Sequence, residues 1–338
     1  MNAADERKAR RRAMDKPVPV RVDAGRVTYY GRPAVKHAPW TWTVGTYIFV
    51  GGVAGGAQVV AAAARLRQGE AASGVVRSAR MIGFGGSLLS AVLLIYDLKT
   101  PHRWYNMLRI YRPSSPMSLG SYVLMAFGAS TGIGALSELV GNAGAAGRAL
   151  RVVANVAQVP AVISGALLST YTASLLTSTS TPLWAAAASP LGAHFGASAI
   201  SSGSAALSLW RRMAGDEDAA SALDNVTVLA AAADAVFSRM GEERIHAHGV
   251  SGSADGAEKP FPTATLAFTL ACALPVASFL VTRGLGRRAP GLSMAASIGV
   301  LVGTMMAKTS IVEAGKKSAD RPRDYFRFTS SASEPADA

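Results

Sequence analysis

Long stretches of apolar and small residues, nearly free of charge, alternate along the chain with short polar segments. Eight such stretches stand out, at about 42–64, 79–97, 119–140, 150–176, 183–209, 223–240, 263–282 and 290–309. Each is roughly 18–28 residues long, and about 20 residues carry a helix across the hydrocarbon core of a bilayer. Backbone in lipid must satisfy its own hydrogen bonds, so helices are the expected form. The pattern predicts an all-α integral membrane protein with an eight-transmembrane-helix bundle. A soluble protein with buried helices is the rival, and eight such runs in 338 residues speak against it.

The runs differ in polarity. The first, beginning WTVGTYIFVGGVAGG, has no ionisable group except Tyr47, whereas the sixth holds Asp224, Asn225 and Asp234. A helix that polar is expected to face protein rather than lipid. Pro190 and His194 lie in the fifth run, where a kink is expected. Gly51, Gly52, Gly55 and Gly56 build two overlapping G-x-x-x-G patterns, and Gly83, Gly85 and Gly86 follow in the second run. Such small-residue faces allow close helix approach in lipid. No dinucleotide or Walker pattern accompanies them.

Composition agrees with a membrane protein. Half the residues are apolar and 16% are charged, against roughly 25% in a soluble domain. The mean hydropathy is +0.24, yet the pI is 10.2 and the formal net charge +13. Nucleic-acid binding would need Arg and Lys spread over a folded surface in a recognisable module; here they fall in tails and loops. The single cysteine, Cys272, excludes a disulfide scaffold and argues against thiolate-held zinc or iron–sulfur clusters. The sequence therefore divides into a basic polar tail (1–41), a helical membrane domain (42–309) and a polar C-terminal tail (310–338), whose Ser/Ala-rich end from about 328 reads as disordered. The N-terminal tail has no apolar stretch beside its Arg cluster and is not a secretory signal.

With eight spans, both termini share a face with the second, fourth and sixth loops. This terminal face carries 23 of the 34 Lys and Arg residues, and the positive-inside rule assigns it to the cytoplasm. Several ionisable or phenolic residues gather toward the same side: Tyr47, Asp97, Tyr171, Asp234, Lys308 and Glu313. Ionisable groups at membrane depth are functional candidates by default. Plainer roles stand beside each. Tyr47 can belong to an interfacial aromatic belt, Asp97 can cap a helix or pair with Arg103, and the 98–118 loop, rich in Pro, aromatics and cations, can be an ordinary interfacial loop. Of the five histidines, only His194 falls inside an expected helix, so there is no haem b pair, and no c-type attachment motif occurs. A redox role would then need electrons from another subunit.

Four blocks carry a family resemblance: YYGRPAVKHAPWTWTVGTYIFVGGVAGG (29–56), DLKTPHRWYNMLRIYRPSSPMSLGSYVL (97–124), GALLSTYTASLLTSTSTPLW (165–184) and EAGKKSADRPRDY (313–325). Together they resemble the NrfD-like family, the membrane subunit of polysulfide reductase and related molybdopterin/iron–sulfur oxidoreductases. The block at 97–121 is the most specific. Trp104 replaces the family Phe and Ala173 a family Gly, changes that bear on shape more than polarity. The resemblance implies a four-plus-four helix arrangement in a bacterial cell membrane. It implies electron exchange between menaquinone or another quinone and an iron–sulfur, four-cluster ferredoxin-like partner, which serves a molybdopterin-type catalytic subunit, with no haem or cluster in this chain. Tyr47 and Tyr171 align with quinone-contacting positions, Asp97 with an important family acid, and Asp234 with a frequent Glu. Arg103, Asn106, Arg109 and Arg112 are the expected partner-docking residues. Well-known relatives have their partners outside; the charge count here points to a cytoplasmic partner. Two other readings remain at this stage. One is a transporter or proton channel, which predicts polar groups through the full membrane depth. The other is an anchoring subunit without a quinone site.

Overall fold

The computed structural model describes residues 22–23, 26–27, 33, 35–36, 38–141, 144–250, 266–284 and 290–331. Apart from a two-residue antiparallel pairing of Val22–Asp23 with Arg26–Val27, these residues are helical or in turns. Helices α1 (Trp42–Gln68) and α2 (Ser73–Asp97) form a hairpin. The segment after α2 contains a 3₁₀ turn, Pro101–Arg103, and the short α3, Asn106–Arg109. Then come α4 (Pro116–Val140), α5 (Gly144–Thr177), the short α6 (Pro182–Ala186), α7 (Ala188–Met213) and α8 (Glu217–Ala247). The last helices are α9 (Leu266–Gly284), α10 (Pro290–Ala319) and α11 (Pro322–Ser331). Within α9, Thr269–Ala273 is π-helical.

Six stretches among the described residues are long and apolar enough to cross a membrane: Trp42–Asp97, which holds both α1 and α2, together with α4, α5, α8, α9 and α10. α7 is as long but falls short in hydropathy, because it carries six serines, His194 and two terminal arginines. The outside of the molecule is apolar. On α5, Val152, Val156, Val159, Ile163 and Leu167 recur at helical spacing and are each 49–68% exposed. Such a stripe faces lipid, not water. The protein is a multi-pass membrane protein.

Packing sorts the long helices into two groups. In the first, α1 packs on α2, α2 on α4, α4 on α5 and α5 on α1; in the second, α7 packs on α8, α8 and α10 on α9, and α10 on α7. α1 joins the groups by packing on α7 and α10. Its two glycine patterns serve different neighbours. Gly51 and Gly55 meet Leu168, Gly165 and Ser169 of α5, while Gly52 and Gly56 meet Ala199 and Ile200 of α7. Gly83 and Gly86 also lie against neighbours, but Gly85 has open space. One helix with two small faces can thus sit at close range between two partners.

The observed helices overrun the charge-free stretches, because a helix does not end where its charges begin. α10 continues through Ala319 and α11 follows, so helix extends into the segment read as a polar tail. The expected disorder from about 328 meets helix through Ser331, and the residues beyond it, like most of the basic tail, lie outside the described residues. α8 runs to Ala247, which makes His246 helical as well as His194. The kink expected at Pro190 is instead a break: α6 ends at Ala186 and α7 begins at Ala188. Pro190 then sits in the first turn, where its missing N–H costs nothing.

Candidate functional site

The terminal ends of α1, α2 and α5 bring three of the expected residues close together. Tyr47 is buried on α1, and its phenol is hydrogen-bonded to that of Tyr171 on α5. Gly120, in the first turns of α4, gives the Tyr171 ring its place, since a Cβ there would overlap the ring. Asp97, the last residue of α2, accepts hydrogen bonds on Oδ1 from Thr41 Oγ1 (2.8 Å) and Thr43 Oγ1 (2.6 Å). Thr41 holds the N-cap position of α1, yet its hydroxyl serves Asp97 and caps no first-turn amide. Thr43 and Tyr47 are four residues apart on one helix face, so the carboxylate stands one turn from the tyrosine pair. The partners of Asp97 are hydroxyls, and Arg103 points out at the surface.

A tryptophan joint holds this end together. Trp184 of α6 is fully buried, stacks on Trp40 at 5.4 Å and donates from Nε1 to Ile311 O of α10 at 3.0 Å. Gly315 lies flat against its indole, where a Cβ could not fit. Trp40, Asp97, Gly120, Tyr171, Trp184 and Gly315 come from the four sequence blocks singled out above, so those blocks converge on one end of the molecule. Over residues 33–318 the sequence matches the family described as polysulphide reductase, NrfD.

The chain belongs to the NrfD family. It is also similar to the C chain of polysulfide reductase from Wolinella succinogenes, 32% identical over 94 residues. That match takes in 26% of this sequence and 29% of the relative's length.

The other expected residues of this NrfD protein lie elsewhere. Asp234 is buried on α8, in the second helix group. Its Oδ1 is 2.7 Å from His194 Nδ1, and Cys272 Sγ approaches Oδ2 at 3.7 Å. Lys308 is buried beside them, donates from Nζ to Ser198 Oγ at 2.6 Å and sits 3.5 Å above the Phe195 ring. Glu313 is exposed and pairs with Lys316. Among the described residues no group of three His, Cys, Asp or Glu side chains is arranged to hold a metal ion.

Arg103, Asn106, Arg109 and Arg112 are all exposed on the segment between α2 and α4, next to exposed Trp104, Tyr105, Ile110 and Tyr111. The segment is tied down from beneath. Tyr122 OH donates to Leu108 O at 2.8 Å, and Arg112 N donates to Ser118 Oγ at 3.0 Å. Ser115 caps α4 by accepting from Ser118 N. The result is a fixed basic and aromatic surface at the end of the molecule that holds the tyrosine pair.

Polar groups are not confined to that end. Arg80 is buried in the second turn of α2, where it donates to Glu138 of α4 (2.7 Å), Asn155 of α5 (2.9 Å) and Gln158 of α5 (3.3 Å). Gln158 in turn donates to Gln58 of α1 at 2.6 Å. One guanidinium therefore links side chains of all four helices of the first group. Charge counting places Arg80 in a loop, because it stands at the edge of an uncharged run. In α7, buried Ser198, Ser201, Ser202, Ser204 and Ser208 continue the polar character through the second group. The crowding of polar groups on one face, expected from ionisable residues alone, overlooked these hydroxyls and amides.

Proposed function

We propose that this protein is the membrane subunit of a respiratory oxidoreductase complex, with eight helices crossing the membrane in a four-plus-four arrangement. In this reading it exchanges electrons between menaquinone or another quinone and an iron–sulfur partner subunit, which serves a molybdopterin-type catalytic subunit. The observation that carries the reading is the buried Tyr47–Tyr171 phenol pair, one helical turn from the Asp97 carboxylate, in a member of the NrfD family. A quinone head group takes the place of the tyrosines' mutual bond, and each phenol then donates to a ring oxygen. In the oxidising direction a quinol gives up two electrons and two protons. The electrons pass to the partner's cluster, and Asp97 receives protons by way of the hydroxyls around it. Asp234 belongs to a separate station in the other helix group. Arg103, Asn106, Arg109 and Arg112 form the surface on which the partner docks.

The decisive variant is Asp97→Asn, which keeps an oxygen for Thr41 and Thr43 but removes the charge. Quinol-linked turnover of the purified complex is expected to fall at least tenfold while the subunits still co-purify. Full turnover in that variant would sink the assignment.

A further inference from the structure

The second helix group borders a partly open cavity of about 180 Å³ lined by α6, α7, α8, α9 and α10. Its walls are mostly apolar, with Trp184, Leu191, Phe237, Ile245 and Phe268 among them. Neither Tyr47 nor Tyr171 borders it. Two buried polar side chains form one edge: His194 is 8% exposed and Asp234 4%. Their Nδ1 and Oδ1 atoms approach to 2.7 Å, but neither has an aligned hydrogen-bond partner. A ligand oxygen at that edge would give these two atoms an aligned partner. The α9 wall is independently unusual. The π-helical stretch Thr269–Ala273 supplies Ala271 and Cys272 to the cavity, and π-bulges concentrate at functional sites.

Size and polarity select the ligand. Apolar cavities of about 150 Å³ stay dry and accept a benzene ring, so this one has room for a single substituted ring. The His194–Asp234 edge offers an acceptor at Asp234 and a donor or acceptor at His194, which suits a ring hydroxyl or carbonyl. Ser238, Glu242 and Ser310 also border the cavity, but most of its lining is apolar, as a ring requires. We propose that this cavity binds a quinone-class ring, with one ring oxygen on His194 and Asp234, as a site separate from the tyrosine pair. The inference rests on the reading that the protein works with quinones.

The test is a count of duroquinone sites on the intact, purified complex by saturable quenching of tryptophan fluorescence. Two sites for each copy of this protein are expected. Ala271→Phe, which fills the cavity without touching its polar edge, should weaken one of them at least tenfold and leave the other unchanged. Ala307→Leu repeats the test from the α10 wall should α9 not accept the larger ring. A count below two in the wild type, or two sites that both ignore the filled cavity, overturns the inference. Tyr171→Phe in the same assay acts on the other site. A site lost in Ala271→Phe but untouched by Tyr171→Phe would thus keep this inference while the tyrosine reading fails.

Discussion

At the scale of single residues, the tyrosine pair is economical because each phenol satisfies the other in a place where water is scarce. That arrangement gives Tyr171→Phe a defined consequence. The ring still packs on Gly120, but the Tyr47 hydroxyl loses its partner, at a cost of about 1–3 kcal/mol for an unsatisfied buried group. The variant is expected to assemble with its partners, melt at a slightly lower temperature and lose at least tenfold in quinol turnover. Thr43→Val is expected to act through Asp97. It removes the 2.6 Å hydrogen bond and leaves both phenols in place, so turnover should fall less than in Asp97→Asn. If Thr43→Val cripples turnover as deeply as the loss of the carboxylate, the threonine is not merely a positioning residue. The tyrosines and Asp97 were legible in the sequence because phenols and carboxylates are rare inside apolar runs. Their partners were not, since Thr41, Thr43 and Gly120 look like ordinary helix-end residues until the helices are brought together.

At the scale of helices, the buried Arg80 network decides how the first group holds its register. Removing one member of a buried ion pair costs about 3–5 kcal/mol, while replacing both with apolar residues can be nearly neutral. Arg80→Met is therefore expected to destabilise the protein by about that amount, and Arg80→Met with Glu138→Met to regain most of it, as read from thermal unfolding in detergent. Turnover of the folded double variant should be preserved. Arg80 and Asp97 lie at opposite ends of α2, about 25 Å apart along the axis at 1.5 Å per residue. The α8 start offers a pH-dependent counterpart. The Asp216 carboxyl is held below the usual carboxylate range by the Arg211 guanidinium and by the Ala219 amide at the helix N-terminus. A depressed folded pKa adds stability above the unfolded value of about 3.9, and that stability is lost as pH falls through the folded value. The first turn of α8 should therefore open more readily below about pH 4 than at neutral pH, seen as faster exchange of the Ala219 amide after correction for its intrinsic rate. Asp216→Asn should abolish that difference. The helices themselves were legible from charge-free runs, and their ends were not. Arg80 and Glu138 read as loop charges because sequence alone cannot show that they neutralise each other inside the bundle.

At the scale of the whole molecule, the exposed basic segment and the candidate chemistry fall on the same side. The end that carries the tyrosine pair, Asp97 and the Trp40–Trp184 joint also carries the exposed segment with Arg103, Arg109 and Arg112. An electron acceptor must lie close to the quinone it serves, so a partner on this segment is well placed for the tyrosine site and poorly placed for anything at the Arg80 end. The fixed backbone beneath the segment means that charge reversal should weaken docking without unfolding the bundle. Arg109→Glu combined with Arg112→Glu is expected to reduce co-purification of the iron–sulfur partner several-fold at low salt, with the difference from the wild type shrinking as salt screens the charges, while the helices melt as before. The same surface fixes the expected side of the membrane. On an eight-span reading 23 of the 34 Lys and Arg residues belong to the terminal face, so by the positive-inside rule we expect that face, and the proposed partner with it, in the cytoplasm. Alkaline phosphatase fused after Ala338 should be inactive in cells, because it folds only where disulfides form, and a fusion in the turn between α7 and α8 should be active. The reverse pattern would put the docking segment outside. In that case the cation count would reflect attraction to lipid head groups rather than orientation, and the cytoplasmic partner would have to be abandoned while the tyrosine site stood.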